Sequence, residues 1–301
     1  MISKTIKLFI LFFSISLIVK AQQDNLKYLD YNNLITSPDV FFDKKSFNPS
    51  YTGDTVKLKA NLKKMTYWLG YEDSKDLTGI SIETYMRKNN SGIGVLYLYD
   101  KDFFKSHVLK FDYNYRFTIN DKIKVRTAIS LGINHYTLID EIITYEPDPL
   151  LANNNDWCDH PILSVGTLLN FKRHELGITY ADIFNFDLTS TNWSDPKIFN
   201  NYFVINYNYK FQLTETIILT PEIINYWNPD YNIWIITSSA SFKNRIYTGI
   251  LLRSNNDFGF MFGGRPWKRL KMSYVYTYND KNIDISGLNY GFQGINFSFI
   301  L

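Results

Sequence analysis

The sequence predicts an all-β protein, a transmembrane antiparallel β-barrel of about fourteen strands. Segment after segment alternates with a period of two, aromatic and aliphatic residues on one parity and charges, amides and glycines on the other. Several segments reach the roughly 9–11 residues that a tilted strand needs to cross a bilayer, against about 5–6 in a soluble, secreted sandwich. The connections alternate between tight and long, as in barrels with short periplasmic turns and longer outer loops. Only closure lets a sheet turn an apolar face to lipid, because an open edge leaves N–H and C=O groups unpaired in hydrocarbon.

Taken in order, the chain opens with Lys4 and Lys7 ahead of an apolar run from Leu8 to Val19, and Val19-Lys20-Ala21 fits a small-residue cleavage site. Residues 1–21 therefore read as a signal peptide, since the run is short for a membrane anchor of about 20 residues. No cysteine follows the cut to take a lipid anchor. Residues 22–54 form an N-terminal segment, periplasmic or plugging, and residues 55–301 form the barrel, with no linker or composition break dividing it.

Strands are expected near 55–64, 77–86, 92–99, 106–118, 122–135, 161–171, 174–182, 198–211, 214–226, 231–242, 245–253, 257–263, 268–279 and 288–301. The fifth is the clearest: Ile123, Val125, Ile129, Leu131 and Ile133 share one face, while Lys122, Lys124, Arg126, Ser130, Gly132 and Asn134 share the other. In the fourth, Leu109, Phe111, Tyr113, Tyr115 and Phe117 oppose Lys110, Asp112, Asn114, Arg116 and Thr118. A basic side chain facing mid-bilayer lipid costs about 2–4 kcal/mol, so the charged parity faces a polar lumen. Segments 214–226 and 231–242 alternate poorly, and Pro221 weakens the first as a central strand. Glycines inside strands read as bends of the wall.

An even strand number returns both termini to the periplasm. The expected periplasmic turns are then Arg87–Ser91, Ile119–Asp121, Lys172–Arg173, Gln212–Leu213, Lys243–Asn244 and Gly264–Trp267. The expected outer loops are Met65–Asp76, Tyr136–His160, Ile183–Lys197, Trp227–Asp230, Ser254–Asn256 and Asp280–Gly287.

Removing residues 1–21 takes away three lysines and no acid, leaving 29 basic against 29 acidic residues. A neutral mature chain lacks the basic footprint of nucleic-acid binding. The single cysteine, Cys158, excludes an intramolecular disulfide framework. Tyr and Trp suit the two bilayer interfaces, making outer-membrane lipid the first expected partner.

Phe47-Asn48-Pro49-Ser50-Tyr51-Thr52-Gly53 resembles the "NPAYAG"-like signature at the start of PorP/SprF-family proteins, outer-membrane components of the type IX secretion system. The likeness continues through Trp68 and Gly70, Gly92-Ile93-Gly94 with Asp100, and Tyr113-Asn114-Tyr115-Arg116-Phe117 with Gly132. Further on it includes Asp148-Pro149, Pro161, Gly166, Leu176-Gly177-Ile178, Tyr274-Val275-Tyr276 and Gly287. The sequence departs from the family pattern at Ser37–Ser46, which lengthens the N-terminal region, and at Gly291-Phe292-Gln293, where members often show His-Glu. The resemblance marks Asn48, Pro49, Tyr51, Gly53, Trp68, Gly70, Tyr113, Tyr115 and Arg116 as family-like positions. It implies a non-enzymatic barrel that assists export or surface retention of secreted proteins or adhesins. Its partners would be translocon subunits or a client's C-terminal signal domain, and gliding relatives serve a motility adhesin.

No catalytic, cofactor or metal constellation is expected. Cys158-Asp159-His160 lacks the second ligand cluster that structural zinc needs and reads as a polar loop. Ser130 and Asn134 share a parity while His135 faces the other way, and no G-x-S-x-G is present. His107, His135 and His174 read as rim residues, and Trp157 and Trp193, on outer loops, as interface anchors. The Asn-x-Ser sequences at 89, 192 and 296 read as chance matches to the glycosylation pattern in a bacterial barrel. Inward Lys57, Lys59, Lys110, Arg116, Lys122, Lys124, Arg126, Lys210, Arg269 and Lys271 outnumber inward Glu83 and Asp112. This leaves two alternatives open: a passive porin with a basic lumen, or a lumen sealed by ion pairs and the N-terminal segment.

Overall fold

The computed structural model describes residues 41, 43–54, 58–67, 76–101, 104–138, 157–184, 201–229, 231–254, 257–279 and 292–301. Residues 1–21, expected to be a signal peptide, and Lys57, Trp68, Gly70, Trp193 and Gly287 lie outside the described residues. The strands are β1 Lys59–Tyr67, β2 Asp76–Met86, β3 Ser91–Lys101, β4 Phe104–Asn120, β5 Ile123–Leu138, β6 Trp157–Phe171 and β7 His174–Ala181. They continue as β8 Tyr202–Tyr209 with its extension Phe211–Gln212, β9 Ile217–Asn228, β10 Tyr231–Phe242, β11 Ile246–Arg253, β12 Asp257–Trp267, β13 Leu270–Asn279 and β14 Phe292–Ile300. Each pairs antiparallel with its chain neighbours, and β14 pairs β1 from Lys59↔Ile300 to Tyr67↔Phe292. The barrel is closed at fourteen strands, as the alternation predicts.

The two parities separate as the lipid argument requires. On β4, Phe111, Tyr113, Tyr115, Phe117 and Ile119 point outward and are 40–61% exposed, while Asp112 and Asn114 between them are buried inside. From Leu109 to Ile119 the strand advances ten residues; at about 3.4 Å each and a tilt of about 40°, that spans roughly 26 Å, the height of a membrane barrel's apolar band.

The lumen departs from the uniformly polar expectation. Leu168, Val204, Ile224, Tyr226, Ile233, Ile235 and Leu251 point inward and form one buried cluster across β6–β11. Strands β9 and β10 therefore carry apolar residues on both faces, which erases the alternation there. Pro221 sits inside β9 opposite Ser238 of β10. On the other side the β8–β9 ladder breaks between Asn208↔Glu222 and Phe211↔Leu219, where a residue without an N–H stands. Register is the same on both sides of the break, so the proline interrupts the ladder without shifting it.

Turns at 87–90, 121–122, 172–173, 213–216, 243–245 and 268–269 alternate with the longer connections. Several strand boundaries differ from expectation. The first strand starts four residues later than expected, at Lys59. Gly264–Trp267 is strand rather than turn, because a bulge between Gly264↔Met272 and Trp267↔Leu270 absorbs an extra residue at Arg265-Pro266. Cys158-Asp159-His160 and Trp157 belong to β6 rather than to a loop, and Lys122 and Arg269 occupy turns instead of the lumen. The wall is uneven: β4, β5 and β6 have 17, 16 and 15 residues, while β7 and β11 have eight each.

Candidate functional site

Residues 43–54 lie inside the barrel, and the family-like motif is the part most tightly held. Asn48 caps a short 3-10 helix, Pro49–Tyr51: its Oδ1 accepts from Ser50 N–H at 2.9 Å, and proline at the first helical position loses no bond it would otherwise make. The Asn48 amide also donates to the Thr167 carbonyl of β6 at 3.4 Å. Tyr51 then reaches the adjoining polar wall of β7 and β8, donating to Glu175 Oε1 at 2.8 Å and accepting from Asn206 Nδ2 at 2.7 Å. Glu175 is held in turn by Asn208 at 2.7 Å.

The end of the motif is fixed by β2–β4. Thr52 Oγ1 donates to Asp112 at 2.9 Å, and Gly53 N–H donates to Glu83 Oε2 at 2.6 Å. Arg116 donates to the Gly53 carbonyl and lies 4.2 Å over the Tyr85 ring. Asn114 donates to the carbonyls of Ser50 and Thr52 while its Oδ1 accepts from Gly92 N–H. Gly53 has φ +65°, a left-handed conformation that most residues with a Cβ disfavour.

The segment is also pinned by charge and by burial. Lys44 donates to both Glu222 oxygens at 2.6 and 2.7 Å, and Arg126 pairs with Asp54 at 2.7 Å. Phe47 stacks edge-on against Tyr51, ring centroids 5.9 Å apart, and joins the apolar cluster of β6–β11. Three of the lumenal cations that suggest an open basic pore are thus committed: Lys59 pairs with Glu83 at 2.7 Å, and Arg116 and Arg126 grip the segment.

The wall glycines have a role other than bending. A Cβ on Gly92 would stand 2.5 Å from the Thr52 carbonyl, on Gly94 2.7 Å from Thr52 Cγ2, and on Gly166 2.5 Å from Asn48 Oδ1. One on Gly177 would collide with Asn206 and approach Asn48 Nδ2 to 2.8 Å. These four glycines leave the groove in which the motif lies. Sequence reasoning missed this cradle, although its signal was present: glycines on the inward parity of strands that carry bulky residues elsewhere.

The surroundings shift one titratable group of the segment. Burial, with the nearby charges of Glu175 and Glu222, holds the Tyr51 phenol well above its ordinary value, so it stays a neutral hydrogen-bond donor.

Of the nine family-like positions, Asn48, Pro49, Tyr51, Gly53 and Arg116 meet in this cradle. Tyr113 and Tyr115 face outward and belong to the lipid wall instead. Trp68 and Gly70 lie outside the described residues. His107 and His135, distant in sequence, lie with tilted rings 6.3 Å apart outside the tall β4–β6 wall, with Tyr97 on His107 and Asp159 on His135, both at 2.8 Å.

The sequence matches the family described as "Type IX secretion system membrane protein PorP/SprF" over residues 39–298. No curated protein matches it. Among solved structures, the Ralstonia pickettii toluene transporter TbuX superposes with a TM-score of 0.53 at 8% identity, covering 86% of this chain and 93% of that one. The CymD monoaromatic hydrocarbon channel gives 0.52 at 7% identity, covering 91% and 94%. At such identities the likeness is one of fold alone.

Proposed function

The chain belongs to the PorP/SprF family of type IX secretion system membrane proteins, and from that premise we propose that it is a non-enzymatic component of that system, delivered to the outer membrane by its signal peptide. In this reading it assists export or surface retention of proteins through their C-terminal signals. The barrel is a scaffold, and its loops or turns are the surfaces that engage a client domain or a translocon subunit. Residues 43–54 act as a resident plug, so cargo passes beside this barrel rather than through it.

The observation that carries the proposal is the family match over 39–298. The plugged state is supported by the seating of Asn48–Gly53 on glycine-lined wall and by the commitment of Arg116, Arg126 and Lys59 to acids or carbonyls inside. A passive porin with a basic lumen is the competing reading; it would leave those cations for solute. Cross-linking intact outer membranes and recovering this protein with translocon subunits or one secreted protein supports the scaffold. Recovery of neither, with surface export unchanged on gene deletion, overturns it.

A further inference from the structure

The mature chain is neutral, but its charge is split between the two ends of the barrel. Four of the six turns carry two cations each, at 87–88, 172–173, 243–245 and 268–269, and a fifth carries Lys122; the six turns hold nine cations against two acids, Asp121 and Glu215. The connections at the other end, at 68–75, 102–103, 139–156, 182–201, 229–230, 254–256 and 280–291, hold fourteen acids against three cations. All nine turn cations are exposed, and none has an acidic partner among the described residues.

Depth identifies what meets this collar. Ile119, Phe171, Phe242, Ile246 and Trp267, the last 68% exposed, are outward apolar residues immediately before or after the turns. The hydrocarbon edge therefore lies within one to two residues of the cations, which places their charges at headgroup level. Lys172 Nζ lies 5.4 Å over the Phe171 ring and Lys243 Nζ 5.3 Å over Phe242, each reaching along an aromatic at the apolar boundary. The cations are also spread over five turns around the rim rather than gathered on one side. That distribution fits a ring of lipid better than one docked protein face.

We propose that this collar binds anionic phospholipid headgroups of the periplasmic leaflet, two cations of one turn sharing a phosphodiester, and so fixes the barrel's depth and orientation. A basic residue near an anionic membrane surface favours association by about fivefold.

The test uses the purified full-length protein, stripped of lipid in detergent and titrated separately with phosphatidylglycerol and phosphatidylcholine under native mass spectrometry. The expected result is retention of phosphatidylglycerol at about fivefold lower concentration or better. Lys172→Gln, Arg173→Gln, Lys268→Gln and Arg269→Gln together should bring the two lipids within about twofold, with heat-modifiable gel migration confirming a folded barrel. Arg87→Gln with Lys88→Gln repeats the test on a separate turn. Equal retention of both lipids by the unaltered protein, or a preference that survives both sets of substitutions, overturns the proposal and returns the collar to an acidic protein partner.

Discussion

Replacing Gly53 with alanine probes the seating of the lumenal segment at its most constrained point. The backbone there has φ +65°, which costs a residue with a Cβ about 1–2 kcal/mol. The new methyl would stand 2.6 Å from the Thr84 carbonyl oxygen and 2.8 Å from Gly92 Cα, both wall backbone that cannot swing aside, adding about 1–3 kcal/mol of overpacking. Moving away from that collision breaks the Gly53 N–H bond to Glu83 and the Arg116 bond to its carbonyl, each charge-assisted and worth about 1.5–3 kcal/mol. Relaxation gives up some of these terms to save others, so a net loss of about 3 kcal/mol is expected, or roughly a hundredfold in the seated-to-unseated ratio. The assay is trypsin cleavage after Lys44 and Lys45 in the folded, detergent-solubilised barrel, read by mass spectrometry of the released peptide. Lys45 is buried and Lys44 is held on Glu222, so the unaltered protein should resist while Gly53→Ala is cut about a hundred times faster. Gly53→Asn tolerates the left-handed backbone but keeps the collision, and should fall between the two. Equal protection of all three would refute the reasoning.

Phe111→Arg puts a charge in the middle of the lipid face and should lower folding stability in phosphatidylcholine vesicles by about 2–4 kcal/mol, measured by denaturant titration; Lys110→Gln, on the inward parity beside it, should change stability far less. Gly92→Ala should reproduce the protease sensitivity of Gly53→Ala from the wall side, since its Cβ would meet the Thr52 carbonyl at 2.5 Å. Tyr51 yields a pH prediction. Its phenol is raised in the seated state, so its contribution to seating is fully present below the ordinary value of 10.0 and is lost as pH rises beyond that toward the raised value. Tyr51→Phe should remove this alkaline dependence, and ion currents that show the same onset above pH 10.0 with and without the hydroxyl would contradict it.

The fold was legible wherever one face of a strand meets lipid and the other meets polar groups. β4 and β5 read cleanly because Phe111 and Leu131 alternate with Asp112 and Ser130 for more than ten residues. β9 and β10 read poorly because Ile224, Tyr226, Ile233 and Ile235 pack against Phe47 inside, so the inward parity is apolar too. Turn positions were legible to within a few residues, except where Pro266 and a bulge imitate a turn inside β12. The cradle was not legible as one site. Its parts stand apart in the chain, Asn48–Gly53 against Gly92, Gly166 and Glu175, and only the barrel's register brings them together. Of the positions the resemblance marked, Asn48, Pro49, Tyr51, Gly53 and Arg116 meet in the cradle, while Tyr113 and Tyr115 follow the wall's own logic.

Conductance tests most directly whether the lumen is closed by the chain's own N-terminal segment. Purified protein inserted in planar bilayers should stay silent, and a variant lacking residues 43–54 should give stepwise ion currents of a single size. Stepwise currents from the unaltered protein, or silence from both with insertion verified, would contradict a lumen held shut by Asn48–Gly53.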